Sequence, residues 1–226
     1  KPETLKIMTK LYADLAKHAK FAGILFHDDG ILTDDEDVSP EALAYYKEHG
    51  ITFNSASELL NNSLWSRLKT KALIEFTNKL RQQVYYYLPT IKTARNIYAQ
   101  VIVNPESEQW FAQNLKEFVK NYDTTAIMAM PYMEQAKNPK KWLTQLADII
   151  NQSNLPKAKI IFELQAKNWH NKSKIVTKEL IQQFQLLQQK GIMNYGYYPD
   201  DFLMNHPNFT EIFPEMSLTD FPYYKR

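Results

Sequence analysis

The sequence predicts an α/β fold of the (β/α) barrel type, in which parallel strands alternate with helices. About five short apolar runs are separated by segments with helical spacing, and these runs are apolar almost without interruption. Strands that alternate with helices pair in parallel, and unbroken apolar strands have both faces covered. Neither a G-x-G-x-x-G nor a G-x-x-x-x-G-K-[ST] segment occurs, so the sequence lacks the motifs of the usual nucleotide-binding folds.

The first elements carry clear boundary signals. Residues 3–19 space their apolar side chains as a helix does, and the run "FAGILFH", residues 21–27, follows as a strand. In "SPEALAYYKEHG" Ser39 is predicted to cap a second helix that ends before Gly50. A longer helix covers about residues 64–88, where a proline stops it.

The remaining elements follow the same alternation. The predicted strands and helices are, in order, strand 90–99, helix 107–122, strand 124–131, helix 139–153, strand 158–166, helix 177–191 and strand 192–199. A barrel needs eight strands, so we expect this chain, residues 1–226, to be the carboxyl-terminal part of one barrel. From Asp200 onward the chain is rich in Pro, Asn and Phe, and we predict irregular structure there.

Composition excludes several classes of protein. The formal net charge is +2, from 27 basic and 25 acidic side chains. This balance produces no overall positive electrostatic field that would attract nucleic acid. Without cysteine there is neither a disulfide scaffold nor a thiolate metal site. No apolar run reaches a membrane span, and residues 1–10 lack the apolar centre of a signal peptide, so we expect any targeting signal to lie elsewhere.

Polar and aromatic side chains lie at the carboxyl end of every predicted strand. In parallel β/α folds the loops after the strands meet at one face, and active sites lie there. The candidates, strand by strand, are His27, Asp28 and Asp29; Arg95 and Asn96; Tyr132 and Glu134; Glu163, Gln165 and Trp169; and Tyr195, Tyr197, Tyr198, Asp200 and Asp201.

Each candidate has a structural alternative. Asp28 and Asp29 are also consistent with a turn or capping pair, and the acidic run 34–37 is interpreted as a solvated loop. Trp65, Trp110 and Trp142 lie on helical patterns and are interpreted as core, whereas Trp169 is as consistent with ligand stacking as with packing. Glu163 is the stronger candidate, because a carboxylate inside an apolar strand needs either a hydrogen-bonding or charged partner or a functional role.

Carboxylates that converge on an aromatic-lined cleft indicate glycoside hydrolysis. One carboxylic acid protonates the leaving oxygen, and a second carboxylate acts as nucleophile or base, or orients a substrate amide that attacks instead. Tyrosine and tryptophan rings provide flat apolar faces for sugar rings, and aromatic residues make up 13% of the chain.

Six blocks occur in the order of a known family: "GILFHDDG", "KTARNIYA", "PESEQWFAQN", "TAIMAMPY", "FELQAKNW" and "NYGYYPDDF". Through essentially its whole length the chain resembles the carboxyl-terminal glycoside hydrolase domain of the PgaB (HmsF) family of poly-β-1,6-N-acetyl-D-glucosamine N-deacetylases. One departure is Gly30, where alanine is expected.

The resemblance implies a domain that binds and hydrolyses the partially deacetylated polymer. It places the catalytic aspartate at Asp28 or Asp29 and the strand glutamate at Glu163. Acidic groups complement the ammonium of glucosamine, and the tyrosines and Trp169 contact sugar rings. The resemblance implies no cofactor in this domain, since the divalent metal belongs to an amino-terminal deacetylase domain absent from this chain.

The same resemblance implies partners and a location. The partners are glucosamine oligomers, the protein's own deacetylase domain and an outer-membrane export porin, and the location is the periplasm, as an outer-membrane lipoprotein. Two other hypotheses remain. In the first, the domain is a binding module that guides polymer without cutting it. In the second, which is less favoured, the domain is itself a deacetylase. Against the second, His27 has no other histidine near it in sequence with which to share a metal.

Overall fold

A computed structural model describes residues 2–60 and 62–216, and helices and strands alternate there as predicted. The helices are α1 Pro2–His18, α2 Pro40–Glu48, α3 Ser63–Tyr87, α4 Ala99–Val103, α5 Glu108–Phe111, α6 Leu115–Asn121, α7 Pro139–Gln152, α8 Thr177–Gln189 and α9 Phe209–Met216. The strands are β1 Gly23–Phe26, β2 Lys92–Tyr98, β3 Thr124–Met128, β4 Ile160–Gln165 and β5 Tyr195–Tyr198. Within the described residues no helix is both long and apolar enough to cross a membrane.

The strands follow chain order in the sheet, β1-β2-β3-β4-β5. β1 pairs with β2 in parallel, and Phe26 lies opposite Arg95. β4 pairs with β5 in parallel, and Glu163 lies opposite Gly196. Parallel strands joined through helices are the topology of the β/α class, so the predicted fold class is confirmed at this level.

The chain divides into two compact units, Lys1–Thr125 and Ala126–Arg226. In the first unit α1 packs along α3, and Ala16, Val84 and Ile91 form one buried cluster against which Ile24 of β1 packs. In the second unit α8 contacts α7, α9 and β4. Phe162 of β4 and Phe184 of α8 are fully buried there. Each unit therefore buries its own apolar side chains, as the unbroken apolar strands predict.

Two boundary predictions are confirmed by the caps. The Ser39 side chain accepts a hydrogen bond from the backbone N–H of Ala42, which satisfies one free donor at the start of α2. Gly50 follows α2 with φ +86°, a conformation that disfavours any residue with a Cβ.

The single helix predicted over residues 107–122 is wrong. The chain forms α5 and α6 instead, because Ala112 takes a left-handed conformation with φ 49°. Asn114 then begins α6, where its side chain accepts from the N–H of Glu117. The irregular structure predicted after Asp200 is also partly wrong, since α9 lies there; residues 217–226 lie outside the described part.

Lys69 of α3 anchors the acidic loop that follows β1. Its side chain is fully buried, and its ammonium donates to the carbonyls of Thr33 and Gln109, with a distance of 3.1 Å to the latter. The ammonium also lies 4.2 Å from the Trp65 ring centroid, a cation–π contact. Burial lowers the pKa of Lys69 to about 8, although the carboxylates of the loop act in the opposite direction.

This lowered pKa predicts a pH-dependent stability. Between pH 8 and pH 10.5 the unfolded chain binds a proton at Lys69 that the folded chain has lost, so the free energy of unfolding rises with pH there. From pH 7 to pH 9.5 we expect wild type to gain roughly 1–2 kcal/mol more than Lys69→Met. Urea unfolding of both proteins at both pH values measures this difference, and equal gains would contradict the assignment.

Candidate active site

The first unit holds the acidic motif at the end of β1. His27 and Asp29 are exposed, and Asp28 is partly buried. The Asp28 carboxylate accepts a hydrogen bond at Oδ2 from the Tyr98 hydroxyl, 3.1 Å away, and its Oδ1 contacts Nδ1 of His27. Asp28 is therefore held in one orientation by two neighbours, whereas Asp29 faces solvent.

The β2 residues predicted to bind substrate are buried. Arg95 is 3% exposed and Asn96 is 1% exposed. The Arg95 guanidinium donates to the backbone carbonyl of His27, 3.1 Å away, and to that of Gly30. In this structure Arg95 therefore contacts the turn of the acidic motif and has almost no surface to offer a sugar.

The acidic motif also has the spacing of a cation site. One possible ligand atom from each of His27, Asp28 and Asp29 lies within 4.8 Å of the others. The guanidinium of Arg95 binds carbonyls of the same turn, and its positive charge opposes a divalent cation there. The absence of a metal role for this motif stays a prediction.

Two residues of this unit differ from what the sequence predicts. Tyr98 is the last residue of β2, so the rule that functional groups follow the strands would have selected it ahead of Arg95. The core interpretation of Trp110 is wrong, because its side chain is 39% exposed. Trp110 lines a cavity of about 170 Å³ together with Asp34 and Gln109, and nothing in its helical spacing indicated this exposure.

In the second unit, Gln165 holds the loop that carries Tyr132. Gln165 is fully buried, and its amide oxygen accepts from the backbone N–H groups of Tyr132 and Met133 at 2.8 and 3.0 Å. The Tyr132 hydroxyl donates to the Glu179 carboxylate of α8. Burial, and then the bond to Glu179 and its charge, raise the pKa of Tyr132 to about 12. Tyr132 is therefore a neutral hydrogen-bonding group at physiological pH.

The tyrosines of β5 divide between two faces of the strand. Tyr195 and Tyr197 lie two residues apart on the face toward α8, and their ring centroids lie 4.8 and 6.4 Å from that of Phe184. The Tyr195 hydroxyl donates to the carbonyl of Glu215, 2.8 Å away, a contact within the second unit. The Tyr197 hydroxyl donates to the carboxylate of exposed Asp200, 3.1 Å away.

Trp169 and Tyr198 form an aromatic pair at the end of β4 and β5. Their ring centroids are 5.9 Å apart with an interplanar angle of 35°, and Tyr198 is 44% exposed. Trp169 is partly buried, and two adjacent aromatic rings provide an apolar surface on which sugar rings can stack. Glu163 is partly buried in β4 of the same unit, as its place in an apolar strand predicts.

Each unit holds side chains of the kinds that glycosidases use. The first unit offers a partly buried carboxylate in a fixed orientation and an exposed one beside it. The second offers a carboxylate within a strand, a neutral phenol and an aromatic pair. In each unit these groups follow a strand or lie in one, and this placement is typical of the class of β/α glycoside hydrolases.

Comparisons with known proteins identify the family. The profile of hypothetical glycosyl hydrolase family 13 matches residues 1–198, and the chain belongs to that family. The chain is 42% identical, with a TM-score of 0.92, to the PgaB (BpsB) glycoside hydrolase domain from Bordetella bronchiseptica, over 97% of this chain and 64% of that one. The predicted PgaB resemblance is confirmed, and the fold is part of a (β/α) barrel.

The chain is also similar to two curated full-length proteins. It is 47% identical over 222 residues to the poly-β-1,6-N-acetyl-D-glucosamine N-deacetylases of Escherichia coli K12 and Escherichia coli O157:H7. The match covers 94% of this chain and 33% of each relative, so the chain spans about a third of their length.

Proposed function

We propose that this domain binds and hydrolyses partially deacetylated poly-β-1,6-N-acetyl-D-glucosamine, cutting within the chain. The observation that carries the proposal is Asp28, a carboxylate at the end of β1 that Tyr98 and His27 hold in place. Membership of a glycosyl hydrolase family and similarity to the PgaB glycoside hydrolase domain support it. The polymer is the substrate class that the names of the relatives suggest.

The charge of the motif suits a partly deacetylated substrate. Removal of an acetyl group leaves an ammonium on the sugar near neutral pH, and Asp28 and Asp29 offer two carboxylates to it. A fully acetylated polymer carries no such charge. We therefore expect cleavage to require glucosamine units in the polymer.

Digestion of defined polymer tests this proposal. The full-length protein, with its deacetylase domain inactivated by a metal chelator, is incubated with partially deacetylated and with fully acetylated poly-β-1,6-N-acetyl-D-glucosamine, and the products are separated by mass. We expect internal cleavage of the first polymer and at least roughly tenfold slower cleavage of the second, as removal of one charge-assisted contact costs about 1.5–3 kcal/mol. Equal rates on both polymers would contradict the role of the ammonium, and no cleavage of either would overturn the hydrolase proposal.

A binding module without turnover is the second candidate, and the aromatic pair of partly buried Trp169 and exposed Tyr198 favours it. Under that hypothesis, oligosaccharide affinity survives replacement of Asp28, Asp29 and Glu163 but falls in Trp169→Ala, and no product forms at any pH. Calorimetric titration with a glucosamine oligomer measures the affinity.

The wider setting is proposed from the same similarity. The domain works beside a metal-dependent deacetylase domain of the same protein, in the periplasm, at an outer-membrane lipoprotein that passes the biofilm polymer to an export porin. No cofactor is proposed for this domain itself. Fractionation of cells and copurification with the porin test the location and the partner.

A further inference from the structure

The turn from His27 to Gly30 carries both aspartates of the acidic motif and has no regular structure. It follows β1 directly, and at its end a backbone hydrogen bond joins the N–H of Ile31 to the carbonyl of Asp29 at 3.0 Å. A turn of this kind depends on side chains from other elements to select one conformation.

Arg95 of β2 supplies such a side chain. It lies opposite Phe26, the last residue of β1, and its guanidinium reaches past the end of that strand. Two terminal nitrogens donate to the carbonyls of His27 and Gly30, the first and last residues of the turn. The planar fork of arginine can bind two acceptors at once, which the single ammonium of lysine does in a less ordered way.

The guanidinium also packs closely against the turn. A Cβ added at Gly30 would lie 2.8 and 2.9 Å from the two terminal nitrogens of Arg95, so the guanidinium occupies the space beside the glycine. Beneath it lies Phe118, whose ring centroid is 5.5 Å from the guanidinium carbon. Burial of this charge costs free energy, and the bonds to the turn offset that cost.

We propose that Arg95 is a positioning residue that sets the conformation of the turn from His27 to Gly30 and so places the carboxylates of Asp28 and Asp29. The inference rests on the proposed function for the catalytic use of those carboxylates, but the hold on the turn is independent of it. Arg95 acts through the backbone of the turn and contacts no sugar.

Variants of the full-length protein test the proposal, with Arg81→Ala as the matched control. Arg81 also donates to a backbone carbonyl, that of Asn121 at 3.3 Å, and lies over a tyrosine ring, but it contacts no part of the turn. Arg95→Ala removes both bonds to the turn. Arg95→Lys keeps the charge and is expected to have an intermediate effect.

Amide hydrogen exchange is the readout that does not depend on activity. In Arg95→Ala we expect the amides of residues 27–31 to exchange at least roughly tenfold faster, with β4 and β5 unchanged. Arg81→Ala leaves the exchange of this segment at the wild-type rate. Unchanged exchange in a folded Arg95→Ala protein would overturn the proposal, whether or not the wild type cleaves polymer.

Kinetics separate positioning from substrate binding. Misplaced carboxylates are expected to lower kcat by about 10- to 100-fold with KM changed by less than about threefold. Guanidinium chloride at a non-denaturing concentration should restore part of the lost kcat in Arg95→Ala and leave the kcat of Arg81→Ala unchanged. A raised KM with kcat unchanged would instead make Arg95 a substrate-binding residue.

A second variant keeps the proposal open to test if Arg95→Ala does not fold. Gly30→Val leaves Arg95 in the chain, but the valine side chain would take the space that the Arg95 guanidinium occupies. We expect the same faster exchange over residues 27–31. Wild-type exchange and kcat in Gly30→Val would count against the contact between Arg95 and the turn.

Discussion

Asp28→Asn is expected to lower the rate of polymer cleavage by about 100- to 10,000-fold, the usual contribution of a positioned acid or base. Asn fills the same volume but neither transfers a proton at neutral pH nor carries the charge. We expect a larger loss for Asp28→Asn than for Asp29→Asn. Asp28 is oriented by Tyr98 and His27, whereas Asp29 is exposed to solvent.

Glu163→Gln is expected to lower the same rate, because the second carboxylate of a glycosidase is required either as a partner or to bind the ammonium. Asp14→Asn on α1 is the control for the aspartate variants. Like Asp28, Asp14 is paired with a histidine, His18, at 3.5 Å. The control should cleave at the wild-type rate. Wild-type rates in all three site variants would refute the catalytic assignment.

The largest effect on stability is expected for Phe162→Ala. Phe162 is fully buried in β4, next to Glu163, and its removal leaves a cavity that neighbouring side chains fill only in part. The loss in the free energy of unfolding should be about 3–5 kcal/mol. The strand that carries Glu163 depends on this packing.

Phe202→Ala is the matched control for that substitution. Phe202 lies in the same unit after β5 and is 79% exposed, so its removal should change stability by at most about 0.5 kcal/mol. Urea unfolding followed by circular dichroism gives both values. Similar losses in the two variants would show that β4 is not the packed centre of its unit.

Local sequence patterns predicted most of the fold for a physical reason. Apolar spacing, capping residues and prolines act within a few residues, so α1, α2, α3 and all five strands were expected close to their observed bounds. The continuous helix over residues 107–122 failed because its amphipathic pattern continues across Ala112. The next residue, Gln113, accepts a hydrogen bond from the backbone N–H of Tyr98 at 2.9 Å. This contact with β2 is not encoded in the local spacing of apolar residues.

The candidate site shows the same division. The sequence by itself determined the family, the β/α class and the acidic motif at the end of β1, since these depend on residue types and their order. The tertiary structure alone decided that Arg95 contacts the turn, that Tyr98 binds Asp28 and that Tyr195 packs against Phe184. The residues of the first two contacts lie 68 and 70 positions apart, and the direction of a side chain over such a separation is set by packing and strand register.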